Sequence, residues 1–137
     1  MACIFCDIIA GRVAAEIVWR SEDGVAFLDH RPLFPGHVLL APVDHVETLA
    51  DLPAAQVGPF FEGAQKLEKA VESAMGAEGS FIAVNNRISQ SVPHLHVHIV
   101  PRNKGDGLKG FFWPRHKYES EEHSHRTAEK IRRALHS

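Results

Sequence analysis

Pro93-His94-Leu95-His96-Val97-His98-Ile99-Val100 decides the fold. Apolar and imidazole side chains alternate through it without a break. Successive side chains of an extended chain point to opposite faces, so Leu95, Val97 and Ile99 share one face and His94, His96 and His98 the other. Neighbouring histidines on that face stand about 6.5–7 Å apart along the backbone. Burying the apolar face against a helix fixes the register, because a slip of one residue exchanges the two sets.

Working outward, Ile17-Val18-Trp19 and Val25-Ala26-Phe27-Leu28 are predicted strands, joined by the turn Ser21-Glu22-Asp23-Gly24. His37-Val38-Leu39-Leu40-Ala41 is a third, stopped by Pro42. Ser80 to Asn86 is a fourth, and Leu95 to Val100, between Pro93 and Pro101, a fifth. Phe61, Ala64, Leu67, Val71 and Met75 recur at spacings of three and four, which predicts an amphipathic helix capped by Gly76. Pro59 puts either a kink or a boundary near its start. Glu119 to Leu135 reads as a polar C-terminal helix. Strands, helix, strands, helix is the order of an α+β fold with a mainly antiparallel sheet.

The whole chain of 137 residues is domain-sized, with 45% hydrophobic and 23% charged residues and a net charge of −2. That balance argues against a nucleic-acid footprint. Residues 115–137 carry six Lys/Arg against four Asp/Glu, a mildly basic tail and no polybasic arm. No apolar run approaches the roughly 18–20 residues that span a bilayer, so no membrane association is expected. The opening residues lack a basic leader and Asp7 breaks their apolar stretch, so the expected location is cytoplasmic. In that reducing setting the Cys3–Cys6 pair suits metal binding or redox work better than a structural disulfide.

The chain has ten histidines, three of them on the quoted strand. Three imidazoles on one face can be a solvated polar surface, a metal cage, or a covalent catalyst in which a neutral imidazole attacks while its neighbours neutralise the developing anion. Spacing alone leaves the last two open.

Gln90-Ser91-Val92-Pro93-His94-Leu95-His96-Val97-His98-Ile99-Val100-Pro101-Arg102 closely resembles the signature of the histidine triad (HIT) family of nucleotide hydrolases and transferases. Cys3 to Ile9, Phe27-Leu28-Asp29 and Pro35 to Leu39 resemble further segments of that family, in the right order. The resemblance covers residues 3–110 and implies a HIT domain, with residues 111–137 as a C-terminal extension of an aromatic segment (Phe111-Phe112-Trp113) plus the helix. It implies a homodimer joined through the long helix and a continuous sheet. By resemblance the middle histidine, His96, is the nucleophile that forms a nucleotidyl-histidine. A backbone carbonyl at His94 holds its tautomer, His98 donates to a phosphate oxygen, and Ser91 assists the phosphate or the leaving group. His37 supports the triad from a neighbouring strand.

For the nucleoside, the similar positions are Ile4, Phe5, Ile8 and Phe27 around the base, and Asp29 on the ribose hydroxyls. Asn85 and Gln90 belong to the nucleotide site on the same footing. The family's glycine-containing stretch is here Asn85-Asn86-Arg87-Ile88-Ser89-Gln90, shorter and without glycine, which makes Arg87 a candidate phosphate contact. Some bacterial-type members hold a structural zinc, and the matching residues are Cys3, Cys6, His45 and His94. Two thiolates and two imidazoles suit that metal. The expected activity is therefore hydrolysis, or nucleotidyl transfer, at the α-phosphate of a purine nucleoside phosphoramidate or dinucleoside polyphosphate. The rivals are a nucleotide-binding regulatory module with little turnover, and a hydrolase using the triad as metal ligands.

Overall fold

A computed structural model of the chain describes residues 2–109 and 115–136. It divides into two compact units, one ending at Gly107 and one beginning at Leu108. The first is built on a five-stranded sheet, ordered β1-β2-β3-β5-β4, with every neighbouring pair antiparallel. The strands are β1 (Ile17–Arg20), β2 (Gly24–Leu28), β3 (Val38–Pro42), β4 (Gly79–Val84) and β5 (Val97–Arg102). The Ser21 hydroxyl accepts the amides of Asp23 and Gly24, both at 3.1 Å, and so shapes the β1–β2 turn.

Helix α1 (Ile4–Ile9) covers one face of the sheet and α2 (Ala54–Met75) the other. Strand alternation sorts the core accordingly. Ala26, Val38, Leu40, Val97 and Ile99 pack with Phe60, Ala64, Leu67 and Val71 of α2. Val25, Phe27, Leu39 and Ala41 pack instead with Phe5 and Ile8 of α1. Buried on both faces, β3 reads as an unbroken apolar run.

Several features differ from the sequence reading. First, α2 runs straight through Pro59, and its buried stripe starts at Phe60; Phe61 is only half-buried and Met75 is 44% exposed. The proline sits one turn inside the N-terminal end, where the loss of one hydrogen bond is outweighed by burial of the stripe. Gly76 does close the helix, in the left-handed conformation at φ 59°. Second, β5 begins at Val97, so His94, Leu95 and His96 precede the ladder, and it continues through Pro101 to Arg102. Pro101 lies beyond the last β3 partner pair, Val38↔Ile99, where β5 is flanked on one side only. Third, α1 carries no periodic signal. Six residues cannot hold a helix unaided, and this one depends on the burial of Phe5 and Ile8 and on Cys3, whose Sγ accepts the Cys6 amide at 3.4 Å as an N-cap.

In the second unit, α3 (Glu121–Leu135) starts two residues later than expected. Ser120 caps it by accepting the His123 amide at 3.0 Å, with Glu121 and Glu122 in its first turn and Arg132 and Arg133 in its last. It buries none of its described residues. The expected aromatic segment, Phe111 to Trp113, lies outside the described residues. Among those described, no helix is long and apolar enough to cross a membrane.

Candidate active site and metal cluster

The alternation of the quoted stretch survives its departure from the ladder. Leu95, Val97 and Ile99 are wholly buried on the α2 side. The histidines lie on the α1 side, where they are covered: His94 is 0% and His96 4% exposed, and only His98 is half-buried. A solvated polar face is thereby excluded. The Phe5 ring stands edge-on to His96 with centroids 4.9 Å apart, and the His96 and His98 rings lean to the same separation, closer than their backbone spacing.

Backbone groups set the tautomers of His37, His94 and His96 and, through His37, that of His98, because a carbonyl can only accept and an amide only donate. His94 donates from Nε2 to the Pro42 carbonyl at 2.9 Å, which leaves a lone pair on Nδ1. His96 donates from Nδ1 to the His94 carbonyl at 2.7 Å, which leaves a lone pair on Nε2. The Leu33 amide donates to Nδ1 of His37 at 3.0 Å, so the proton of His37 sits on Nε2. That proton is given to Nδ1 of His98 at 3.0 Å, and His98 in turn carries its own on Nε2. No buried side-chain nitrogen or oxygen among the described residues lacks a partner, so the unpartnered Nε2 atoms of His96 and His98 reach solvent. One presents a lone pair and its neighbour a proton.

Burial also keeps these rings neutral. Desolvation lowers the pKa of His37, His94, His96 and His98 below the ordinary histidine value. His98 falls furthest, to about 4, because His96 and His37 add to the desolvation. Asp29 works in the opposite direction on His37, His96 and His98. Its Oδ2 lies 3.7 Å from Nε2 of His37, while its Oδ1 accepts the Arg31 amide at 2.9 Å in a turn. Asp29, His37 and His98 form one compact group, although the three come from separate stretches of chain.

The second group is Cys3, Cys6, His45 and His94, whose donor atoms all lie within 4.8 Å of one another. Cys6 Sγ is 3.3 Å from Nδ1 of His45 and 3.5 Å from Nδ1 of His94, and Cys3 Sγ is also 3.5 Å from the latter. A tetrahedron with zinc–sulfur and zinc–nitrogen bonds of ordinary length has mixed edges of about 3.6 Å. The donor set thus fits one metal ion, and the lone pair on Nδ1 of His94 is already aimed at it. The Nε2–H bond to Pro42 is the outer support that a metal-bound histidine uses. Burial and the neighbouring Cys3 raise the Cys6 thiol pKa in the absence of a cation.

The other predicted positions divide. Phe5, Ile8 and Phe27 are core residues of the α1 side, whereas Ile4 is 45% exposed at its edge. Ser91 is exposed just ahead of His94. Gln90 is committed to the loop: Nε2 donates to the Glu47 carbonyl at 2.7 Å and Oε1 accepts the Arg87 amide at 2.8 Å. Asn85 is half-buried, and it is Asn86 that makes the structural contact, accepting the Leu49 amide at 2.8 Å. Without glycine, this loop still takes two left-handed residues, Arg87 at φ 68° and Ser89 at φ 61°. The Leu33 amide and the Pro42 carbonyl, which set two tautomers, escaped the sequence reading; as backbone groups they leave no mark in residue identity.

Residues 10–105 match the HIT domain family. An uncharacterized HIT-like protein of Methanocaldococcus jannaschii is 39% identical over 77% of this chain and 82% of its own length. The adenosine 5'-monophosphoramidase hnt1 of Schizosaccharomyces pombe is 34% identical over 89% and 90%. The asymmetrical bis(5'-nucleosyl)-tetraphosphatase of the same yeast is 34% identical over 69% of this chain and 53% of its own. Among solved structures, a HIT family protein of Bacillus subtilis superposes with a TM-score of 0.89 at 32% identity, covering 97% and 96% of the two chains. A zinc-bound histidine triad protein of Mycobacterium smegmatis gives 0.75 at 32% identity, covering 98% of each. With its triad, its sheet and its paired cysteines, the chain belongs to the HIT domain family as a member of the bacterial type.

Proposed function

We propose that the protein is a hydrolase or nucleotidyl transferase that cleaves at the α-phosphate of a purine nucleotide through a covalent nucleotidyl-histidine on His96. The observation that carries this reading is His96 itself, a buried neutral imidazole with its Nδ1 proton spent on the His94 carbonyl and its Nε2 lone pair open. Nε2 attacks phosphorus, the bond to the leaving group breaks, and that group departs with the electron pair, an amine also taking up a proton from solvent. The positive charge left on the ring is eased by the Nδ1–H bond and by Asp29. Water then attacks phosphorus and sheds a proton to solvent, the P–N bond breaks, and the electrons of that bond return to Nε2. His98 donates its Nε2 proton to a phosphate oxygen and Ser91 assists the phosphate or the leaving group. Ile4, Phe5, Ile8 and Phe27 flank the base, Asp29 holds the ribose, and Asn85 and Gln90 shape the phosphate loop. The leaving group is an amine or a polyphosphate, in line with the activities named for the two yeast relatives.

Cys3, Cys6, His45 and His94 hold a structural zinc. Four protein ligands leave no open position, so its contribution is cohesion, and the chemistry belongs to the histidines. The reduced thiols that such a site needs suit a cytoplasmic setting. The HIT domain spans 3–110 and residues 111–137 form an extension. Two copies assemble through α2 and the sheet edge. An apolar groove of about 370 Å³ beside α2, lined by Trp19, Leu28, Leu67, Ala70 and Met75, supports that assembly.

The test is release of AMP from an adenosine phosphoramidate and from a diadenosine polyphosphate by the native protein and by His96→Ala. Release that disappears in the variant supports the reading, and the ratio of the two rates names the leaving group. A native protein that binds AMP but turns over neither substrate overturns it in favour of a nucleotide-binding module.

A further inference from the structure

We propose that the Cys3/Cys6/His45/His94 cluster, when it holds its cation, is a positioning device for the nucleophile, so that metal occupancy sets how fast His96 reacts. This rests on the zinc and His96 readings given above. His94 and His96 lie ahead of β5, in a segment the sheet ladder does not hold. Besides backbone bonds from the amides of His94 and Leu95, the His94 ring holds it, with Nε2 on the Pro42 carbonyl and Nδ1 in the cluster. The carbonyl of this same residue, at 2.7 Å, keeps the His96 proton on Nδ1.

The other ligands act on the same spot. His45 precedes Val46, whose carbonyl accepts the Leu95 amide at 2.8 Å, so joining His45 to His94 clips these two segments together. Cys3 and Cys6 bracket Phe5 in α1, and the Phe5 ring lies against His96. Two of the groups that constrain the nucleophile, the His94 carbonyl and the Phe5 ring, thus sit on a ligand residue or within two residues of one. Without the cation, the sulfur–nitrogen contacts of 3.3–3.5 Å are weak thiol hydrogen bonds, and the six-residue helix is left with its Cys3 cap and the burial of Phe5 and Ile8. The cation replaces them with coordinate bonds. Freed of them, the His94 carbonyl can shift by the fraction of an ångström that weakens a hydrogen bond, and His96 then samples the tautomer whose Nε2 is protonated and cannot attack.

The experiment uses the full chain labelled with ¹⁵N-histidine, loaded with one equivalent of zinc or treated with a chelator. His96 tautomer is read by NMR alongside the rate of AMP release, and zinc uptake by direct titration. Loaded protein is expected to show a single Nδ1–H form of His96. Chelated protein should show mixed tautomers and a kcat lower by about tenfold, with KM moving less, and zinc should restore both. His45→Ala, which removes an exposed ligand outside the nucleotide pocket, should reproduce the chelated state in a folded protein and decides the matter if chelation unfolds the native chain. Protein that binds one equivalent but keeps tautomer and rate without it overturns the coupling and leaves the zinc reading standing. Protein that takes up no zinc overturns both.

Discussion

At the residue scale, His37 shows how a side chain that need not touch the substrate can decide what one beside it does. Its acceptor is fixed by the Leu33 amide, so its proton must go to His98, and His98 must present Nε2–H outward. Replacing it by an apolar ring removes that constraint while preserving bulk. His37→Phe is expected to lower kcat by about tenfold or more with little change in KM, measured on whichever adenosine substrate is turned over. The same neutral network sets the pH profile. Because burial holds His96 and His98 below the ordinary histidine range, kcat/KM should stay level as pH falls from 8 through 6.5, with its acid limb beneath that value. An acid limb centred at or above 6.5 would contradict a nucleophile kept neutral by desolvation.

At the scale of elements, α2 packs closely on the sheet because Gly63 admits Trp19. A Cβ at Gly63 would lie 3.0 Å from the Cη2 and Cζ3 atoms of that ring. Gly63→Val should therefore cost about 1–3 kcal/mol by overpacking, against about 3–5 kcal/mol for the cavity left by Phe60→Ala. Urea unfolding with a constant m-value would measure both. The loop before the triad stores strain in the other direction. Ser89 adopts a conformation natural to glycine, so Ser89→Gly should stabilise by about 0.5–1 kcal/mol once the added freedom of the unfolded chain is subtracted. Strands and the long helix were legible in the sequence because their apolar periods are long and regular. Helix α1 was not, since six residues held by a thiol cap and a buried Phe5 present no period at all.

At the scale of the molecule, one sheet carries two cores, and the chemistry proposed for His96 lies on the α1 side. Three buried histidines and the half-buried His98 therefore couple stability to pH. Their folded pKa values lie below the unfolded value near 6.5, so from that pH downward the unfolded chain binds more protons than the folded one. Stability should be complete above about pH 6.5 and fall on acidification through the window that ends, for His98, at about 4. Thermal melts between pH 8 and pH 4 would check this, and a melting temperature that rose on acidification would refute it. Zinc on the Cys3–Cys6 cluster should raise the melting temperature and make the transition depend on its concentration.

The amino-acid sequence carries the two faces of the triad stretch and the antiparallel α+β architecture in its alternation and helical period, which are local properties of the chain, and the family in a signature motif it resembles. It also marked His96 and the four cluster residues, through a motif and a resemblance. What only the tertiary structure decided is how those side chains are held. That the histidines are buried under α1, that β5 starts after His96, and that Leu33, Pro42 and His94 assign the protons are all consequences of contacts between distant segments. The groups that make most of those assignments are backbone amides and carbonyls, identical at nearly every position in the chain, and only folding chooses which of them an imidazole meets.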